Sequence, residues 1–323
     1  MRSLSNPVLV DPSRQPRAAR HKSRPNATSS GVRRHGPVAH VLIHAVLIVL
    51  TVIFVLPLLL VISGSFSSEK DITLYGYTLI PIHFSLAAYQ YLFDNGSLIV
   101  SGYEVTIAVT LIGSAAALLI MSLLGYVISR RDFRFRRILS FFTLFTMLFN
   151  GGLVPTYIMM TQLLHVQDTL LAYILPYLVV PLYVLLLRTY FAGLPVELLE
   201  AAKLDGAGEW RIFFQIVVPM STPALATVGL LIMLIYWNDW FQGLLYISNP
   251  HLMSLQYLLY QFSQNILMLN SSASQSNVST VVLPTQSVLM AMAVLAIGPL
   301  VFAFFFTQRY FVRGITLGGL KGD

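Results

Sequence analysis

The 323-residue sequence contains no cysteine, which excludes a disulfide framework and any thiolate metal site. Charge is scarce as well: Lys, Arg, Asp and Glu make up 10% of the residues, against roughly 25% in an ordinary soluble domain. The short motifs of self-contained chemistry are missing too. There is no Gly-x-x-x-x-Gly-Lys-Ser/Thr phosphate loop, no His-Glu-x-x-His and no Gly-x-Ser-x-Gly. His40, His44, His165 and His251 stand apart, near the ends of apolar blocks, and read as interfacial residues. No nucleophile and base are paired, so an intramembrane enzyme is disfavoured.

What the sequence does hold is apolar surface, with 56% hydrophobic residues and a mean hydropathy of +0.73. A helix needs about 20 mainly apolar residues to cross a bilayer. Six blocks have that character: Val41 to Ile62, Val105 to Ile128, Ile138 to Met159, Leu170 to Leu187, Ala224 to Ile247 and Ser287 to Phe306. None shows strict period-2 alternation and all are too long for barrel strands, so helices satisfy the backbone. The expected fold is an all-α membrane protein with six transmembrane helices over residues 38–309.

Lys and Arg concentrate on cytoplasmic loops. With six spans, both termini and the second and fourth connections share one side, and every basic residue except Lys70 falls there. Both termini are therefore expected in the cytoplasm of a multi-pass membrane protein. The basic residues are scattered over loop ends without aromatic interleaving, which argues against nucleic acid as a partner. Residues 1–37 are Ser- and Pro-rich with eight basic residues and one acid, Asp11, and read as a disordered extension. Their composition also resembles a mitochondrial transit peptide.

The fourth connection, Gly193 to Pro223, is amphipathic and too polar to span. Pro195 suits a first helical turn, Glu197 and Glu200 sit near its positive end, and Asp205-Gly206 is a stop before a second short helix from about Glu209. A helix-turn-helix at the membrane surface is predicted, with its first helix at Val196 to about Leu204. By itself such a hairpin is better explained by packing under the bundle. Its particular residues go further. Glu200-Ala201-Ala202, Gly206, Ile216 and Val218-Pro219 are spaced as in the EAA loop of permease subunits of binding-protein-dependent ABC importers, which this loop resembles. Val218 stands where Leu is usual.

Other segments strengthen the likeness to the carbohydrate-uptake branch, in particular its maltose-type six-span subunit and the subset serving polysaccharide fragments. They are Asn150-Gly151-Gly152, Tyr236-Trp237-Asn238-Asp239, and the ending Gln308 to Gly314 with Leu320-Lys321-Gly322. The resemblance implies a type I ABC importer permease fold and a bacterial inner-membrane location. It implies that Glu200, Ala201, Ala202, Asp205 and Gly206 form a coupling helix docked on an ATPase. It also implies that the C-terminal tail, residues 310–323 with Arg313, Gly314 and Lys321, reaches that ATPase. The implied partners are a second permease, two ATPase subunits holding ATP and Mg2+, an extracytoplasmic solute-binding protein and an oligosaccharide such as an alginate or pectin fragment. No cofactor is expected in this chain.

Asp239 is the intramembrane ionisable residue that needs a reason. With Tyr236, Trp237, Asn238 and Trp240 it reads either as a substrate contact, offering stacking faces and an amide, or as a structural polar contact between helices. An ion-gradient transporter with Asp239 as coupling charge is the main alternative to the importer. Asn150-Gly151 reads as a helix break lining the pathway or, preferentially, as a site of close helix packing. The charge-free stretch Gln261 to Thr285 reads as a plain loop or as a surface for the binding protein.

Overall fold

The computed structural model describes residues 37–94, 96–273 and 285–319. The expectations for residues 1–36, for Lys321 and for residues 274–284 of the Ser/Asn/Gln-rich stretch lie outside those residues. The chain divides into two compact units, residues 1–53 and 54–323. In the first, the described residues belong to a helix, α1 (Pro37–Ser65), whose side chains from Val41 to Ile53 are apolar and exposed apart from small or polar insertions. Thr51 stays inside this apolar run by donating its hydroxyl to Leu47 O at 2.8 Å, leaving no unpaired donor.

The second unit continues α1 and then places two short helices, α2 (Glu69–Tyr75) and α3 (Ala87–Asp94), before the long α4 (Gly96–Ser129). At 34 residues α4 is about 51 Å long, ample to cross a bilayer. Then follow α5 (Arg136–Leu148), α6 (Leu153–Ile158) with a π turn to Leu163, α7 (Leu171–Ile174) with a 3-10 turn to Tyr177, and α8 (Pro181–Ala192). The surface segment holds α9 (Val196–Leu204), α10 (Glu209–Ile212), a π turn and α11 (Val218–Met220). The chain closes with α12 (Thr222–Trp237), α13 (Phe241–Tyr246), α14 (Leu255–Ala273) and α15 (Thr285–Gly319). Among the described residues the sole strand-like pairing is one bridge, Ser67 to Phe84.

Three helices are continuous crossings: α1, α4 and the first part of α15. Three bent helix pairs also have the length and composition of a crossing, which gives up to six among the described residues. The expected straight block Ile138 to Met159 is broken by 113° between α5 and α6. Asn150-Gly151-Gly152 causes the break: Gly152 has φ +90°, and its N–H is taken by Asn150 Oδ1 at 2.9 Å. Within this chain these glycines make no close helix contact, since a Cβ on Gly151 or Gly152 would meet nothing within 4 Å. The fourth block bends by 50° at Pro181, whose ring forces Val180 into extended backbone. Just before the fifth block the chain bends by 84°, where Ser221 separates α11 of the surface segment from α12. The block itself is broken at Asn238 to Trp240 rather than running on to Ile247.

α4 packs along both α8 and α12, and small residues make the approach close. A Cβ on Gly113 would stand 2.8 Å from the Tyr236 ring. That ring is 2% exposed and tethered, since Tyr236 Oη donates to Ile174 O at 2.9 Å. Beside it Trp237 Nε1 donates to Ala296 O at 3.0 Å, joining α12 to α15.

Away from the arginine-bearing end, distant acids pin chain starts. Glu69 accepts Gln286 N and Thr285 Oγ1 on one carboxylate oxygen, at 2.9 and 3.0 Å. Its other oxygen accepts Ser287 N and Oγ at 3.0 and 2.9 Å, capping α15 from 216 to 218 residues away. Asp168 Oδ1 likewise accepts Ser248 N and Asn249 N, at 2.6 and 2.9 Å.

Because the Tyr236 ring cannot swing aside, Gly113→Val overpacks the α4 and α12 contact, at a cost of about 1–3 kcal/mol. Thermal unfolding of the purified transporter is expected to shift down by several degrees; an unchanged midpoint would contradict this packing.

Candidate functional site

α9 occupies the nine residues Val196–Leu204, the span expected for the surface helix. Pro195 precedes it with φ −57°, already near helical φ, and Leu199 is its one buried side chain. The helix ends in a Schellman arrangement: Ala207 N donates to Ala202 O and Gly206 N to Lys203 O, both at 3.0 Å. That geometry needs a left-handed residue, and Gly206 supplies φ +78°. Within this chain Gly206 therefore acts as a helix stop, and nothing lies within 4 Å of where its Cβ would be.

Glu200, Ala201, Asp205 and Gly206 are exposed, and Ala202 is half-buried against the core. Leu204 is 89% exposed, and Leu198, Trp210 and Phe214 also show apolar surface nearby. A short helix held by one buried leucine, with small, acidic and apolar residues outward, is built to be covered by another surface.

What fixes α9 is an ionic network that sequence reasoning missed. Arg130, just past the end of α4, holds Asp132 with two hydrogen bonds at 2.8 and 3.1 Å. Lys203 Nζ lies 2.9 Å from both Asp132 Oδ2 and Glu209 Oε1. Tyr126 Oη donates to the other Glu209 oxygen at 3.0 Å, and Arg130 sits over the Tyr126 ring. The end of α4, the end of α9 and the start of α10 are thus joined at one point. Lys203 and Arg130 had registered only as positive charges on one side, because no local spacing links residues 71 apart.

The network is charged over the ordinary pH range. Hydrogen bonds from Arg130 and then Lys203 hold the Asp132 carboxyl below the usual carboxylate range. Its contribution is present above the unfolded carboxylate pKa, about 4, and is lost only as pH falls through the depressed folded value. Hydrogen bonds to Glu209 and Asp132 raise Lys203, whose contribution is present below about pH 10 and lost above the raised value. The side chains of Lys203, Asp132 and Glu209 are 37%, 57% and 57% exposed, so each pair is worth only about 0.2–1 kcal/mol. The network sets where α9 sits more than whether the chain folds.

The candidate pathway residues do not form one site. Tyr236 and Trp237 are buried and each donates to a backbone carbonyl, and Trp237 also lines an apolar cavity with Leu111, Leu230 and Met233. Asp239 is 5% exposed, and its Oδ1 accepts Phe241 N and Gln242 N at 3.1 Å, starting α13 after the break. Asp239 thus has a structural role through Oδ1, while its Oδ2 is buried without a hydrogen-bond partner. Asn238 is exposed and returns its amide to Leu234 O. Trp240, 39% exposed, stacks on Tyr260 with ring centroids 4.4 Å apart. Asn150 and Gly151 lie at the exposed break between α5 and α6. Arg313 and Gly314 lie on the backbone of α15, which stays helical through Gly319. The first half of the charge-free stretch is helical in α14 rather than loop. No group of three His, Cys, Asp or Glu able to hold a metal occurs among the described residues.

Up to six crossings among the described residues, three of them bent pairs, with a clamped surface helix at Val196–Leu204, give the architecture of a polytopic membrane protein. Residues 110–317 match the family described as binding-protein-dependent transport system inner membrane component, and the chain belongs to that family. The polygalacturonan/rhamnogalacturonan transport system permease protein YtcP of Bacillus subtilis is 36% identical over 285 residues, covering 87% of this chain and 97% of the relative. Protein LplC of the same organism is 34% identical, covering 84% and 90%. The arabinooligosaccharides transport system permease protein AraQ of Halalkalibacterium halodurans is 31% identical, covering 84% and 92%. In three dimensions a chain of a bacterial ABC transporter involved in the import of the acidic polysaccharide alginate superposes with a TM-score of 0.73. It is 24% identical, and the overlap covers 85% of this chain and 96% of that one.

If Lys203 positions α9, Lys203→Met frees the helix while leaving the fold intact. Amides of residues 196–206 are expected to exchange at least about tenfold faster, with a melting shift within the range of one exposed pair. Unaltered exchange in α9 would contradict the clamp.

Proposed function

We propose that this chain is a transmembrane subunit of an ATP-driven importer of oligosaccharides, most simply fragments of acidic or plant polysaccharides. The observation that carries this reading is α9: exposed Glu200, Ala201, Asp205 and Gly206 on a helix clamped at one end to α4. The names of the relatives, which concern galacturonan, rhamnogalacturonan and arabinooligosaccharides, support the substrate class. Against the ion-gradient alternative, Asp239 Oδ1 accepts the N–H groups that start α13.

In this mechanism the chain pairs with a second permease, and the pathway runs between them. Two ATPase subunits, holding ATP and Mg2+, receive α9 and its counterpart in the partner permease, and this chain hydrolyses nothing itself. Closure of the ATPase pair pushes on α9, and the Arg130-Asp132-Lys203-Glu209 network passes the displacement to α4. α4 packs on α8 and α12, so the push turns the bundle between inward and outward states rather than bending one loop. An extracytoplasmic binding protein delivers the sugar to the outward state. Trp240 stacked on Tyr260 is the aromatic surface best suited to a sugar face. Arg313 and Gly314 near the end of α15 reach toward the ATPases.

Orientation follows from the basic loops, with both termini and α9 in the cytoplasm. The chain has no cysteine, so single substitutions report sidedness cleanly. Leu204→Cys is expected to react with a membrane-impermeant maleimide in inverted vesicles and not in intact spheroplasts, and Tyr75→Cys the reverse. The opposite pattern would overturn the orientation and the proposed docking with it.

Glu200→Lys reverses a charge on exposed surface and leaves the α9 geometry unstrained. It is expected to cut oligosaccharide uptake at least about tenfold, by uncoupling ATP hydrolysis or releasing the ATPase during purification, while the permease inserts normally. Undiminished uptake with full ATPase retention would count against α9 as the coupling element.

A further inference from the structure

A cavity of about 870 Å³ opens between the loop after α4, the start of α5 and the end of α8. Its volume lies within the range of small-ligand sites. Arg131, Arg134, Arg136, Arg137 and Arg188 all line it, and the single acid beside them is Asp132. Asp132 is already occupied by Arg130 and Lys203, so it neutralises none of the five.

The arginines differ in how far they are committed. Arg136 Nε donates to Ile128 O at 3.0 Å, and Arg134 lies over the Phe135 ring at 5.9 Å. Arg131, Arg137 and Arg188 have no hydrogen bond or ion pair among the described residues. Three guanidinium groups facing one open cavity make its field positive and attract an anion, more strongly at low salt.

Two further donors converge there. α5 begins at the cavity with Phe135 in the capping position and no side-chain cap; Arg136 N donates to Phe133 O at 3.2 Å, which leaves the N–H groups of Arg137 and Ile138 at the positive end of the helix. Ser140, one turn further, has a buried hydroxyl without a partner. Planar guanidinium groups beside a helix start suit the oxygens of a phosphate.

The rest of the lining changes character along α5. Phe141 and Leu144 lie about 6 Å and 10 Å beyond Arg137 along the helix axis, and Leu185 of α8 faces the same space. Phe141 and Leu144 are 60% and 45% exposed. A cationic mouth continuing into an exposed apolar slope matches a phosphodiester with hydrocarbon attached, and a free phosphate would use only the mouth.

We propose that this cavity binds an anionic phospholipid, its headgroup phosphate held by Arg131, Arg137, Arg188 and the start of α5, its acyl chains along Phe141, Leu144 and Leu185. Assigning that lipid to the cytoplasmic leaflet rests on the orientation proposed above; the binding itself does not. The site is separate from the network that fixes α9, although Asp132 borders both. Lipid occupancy therefore braces the α4 to α5 loop next to the clamp.

The test is native mass spectrometry of the complete purified transporter, stripped of lipid and offered phosphatidylglycerol, phosphatidylcholine or inorganic phosphate. Phosphatidylglycerol is expected to bind at least about tenfold better than phosphatidylcholine and to resist millimolar phosphate. The double variant Arg137→Gln/Arg188→Gln is expected to lose that preference, and Arg137→Lys/Arg188→Lys to keep most of it, as about two charges' worth of attraction requires. A wild-type transporter without headgroup preference, a Gln variant that keeps it, or displacement by inorganic phosphate alone would each overturn the lipid site. Should the Gln variant fail to assemble, the wild-type preference and the Lys variant still decide the matter. Sidedness is read separately by maleimide labelling, so a wrong leaflet and an absent site give different results.

Discussion

The close contact of α4 with α8 and α12 is the constraint on which the remaining structure depends. Gly113 and Gly125 bring backbones near enough that a Cβ would meet the Tyr236 ring at 2.8 Å or the backbone of α8 at 3.3 Å. In a bilayer there is little hydrophobic gain in pressing apolar helices together, so close van der Waals fit and buried hydrogen bonds must hold them. Tyr236 and Trp237 provide those hydrogen bonds by donating to carbonyls of neighbouring segments. A long helix held this way transmits force along its axis, and its end is where Arg130 and Asp132 meet Lys203 of α9.

Acidic residues divide between two tasks. Glu69, Asp168 and Asp239 each accept two backbone N–H groups at the start of a distant or interrupted segment. Each helps settle the orphaned donors that broken helices create, a debt most severe where water is scarce. Asp132 and Glu209 instead meet Arg130 and Lys203 at the surface, where single pairs are weak but several together define a position. The chain thus uses acids to hold its breaks inside and to locate its handle outside.

Much of this was legible from residue order alone. Six apolar blocks, the proline-led surface helix and its Asp-Gly stop are local patterns, and α9 begins and ends where those patterns place it. The breaks were less legible. Asn150-Gly151-Gly152 is compatible with packing or with a turn, and the positive φ of Gly152 decides for the turn. Asp239 invited a substrate role because an ionisable residue in an apolar block is costly. Its duty became visible only when the backbone broke beside it and offered two N–H groups. Contacts such as Glu69 with Ser287, or Asp132 with Lys203, join residues 218 and 71 apart and leave no periodic trace.

The central claim is that α9 and α4 move as one body. Spin labels on Leu204→Cys and Leu119→Cys, both at exposed positions in a chain otherwise free of cysteine, measure that separation by pulsed electron resonance in the assembled transporter. The account predicts a change of less than about 2 Å between nucleotide-free and ATP-bound states. A displacement of about one helical turn, 5.4 Å or more, would show that α9 slips past α4 and that the clamp does not carry the motion.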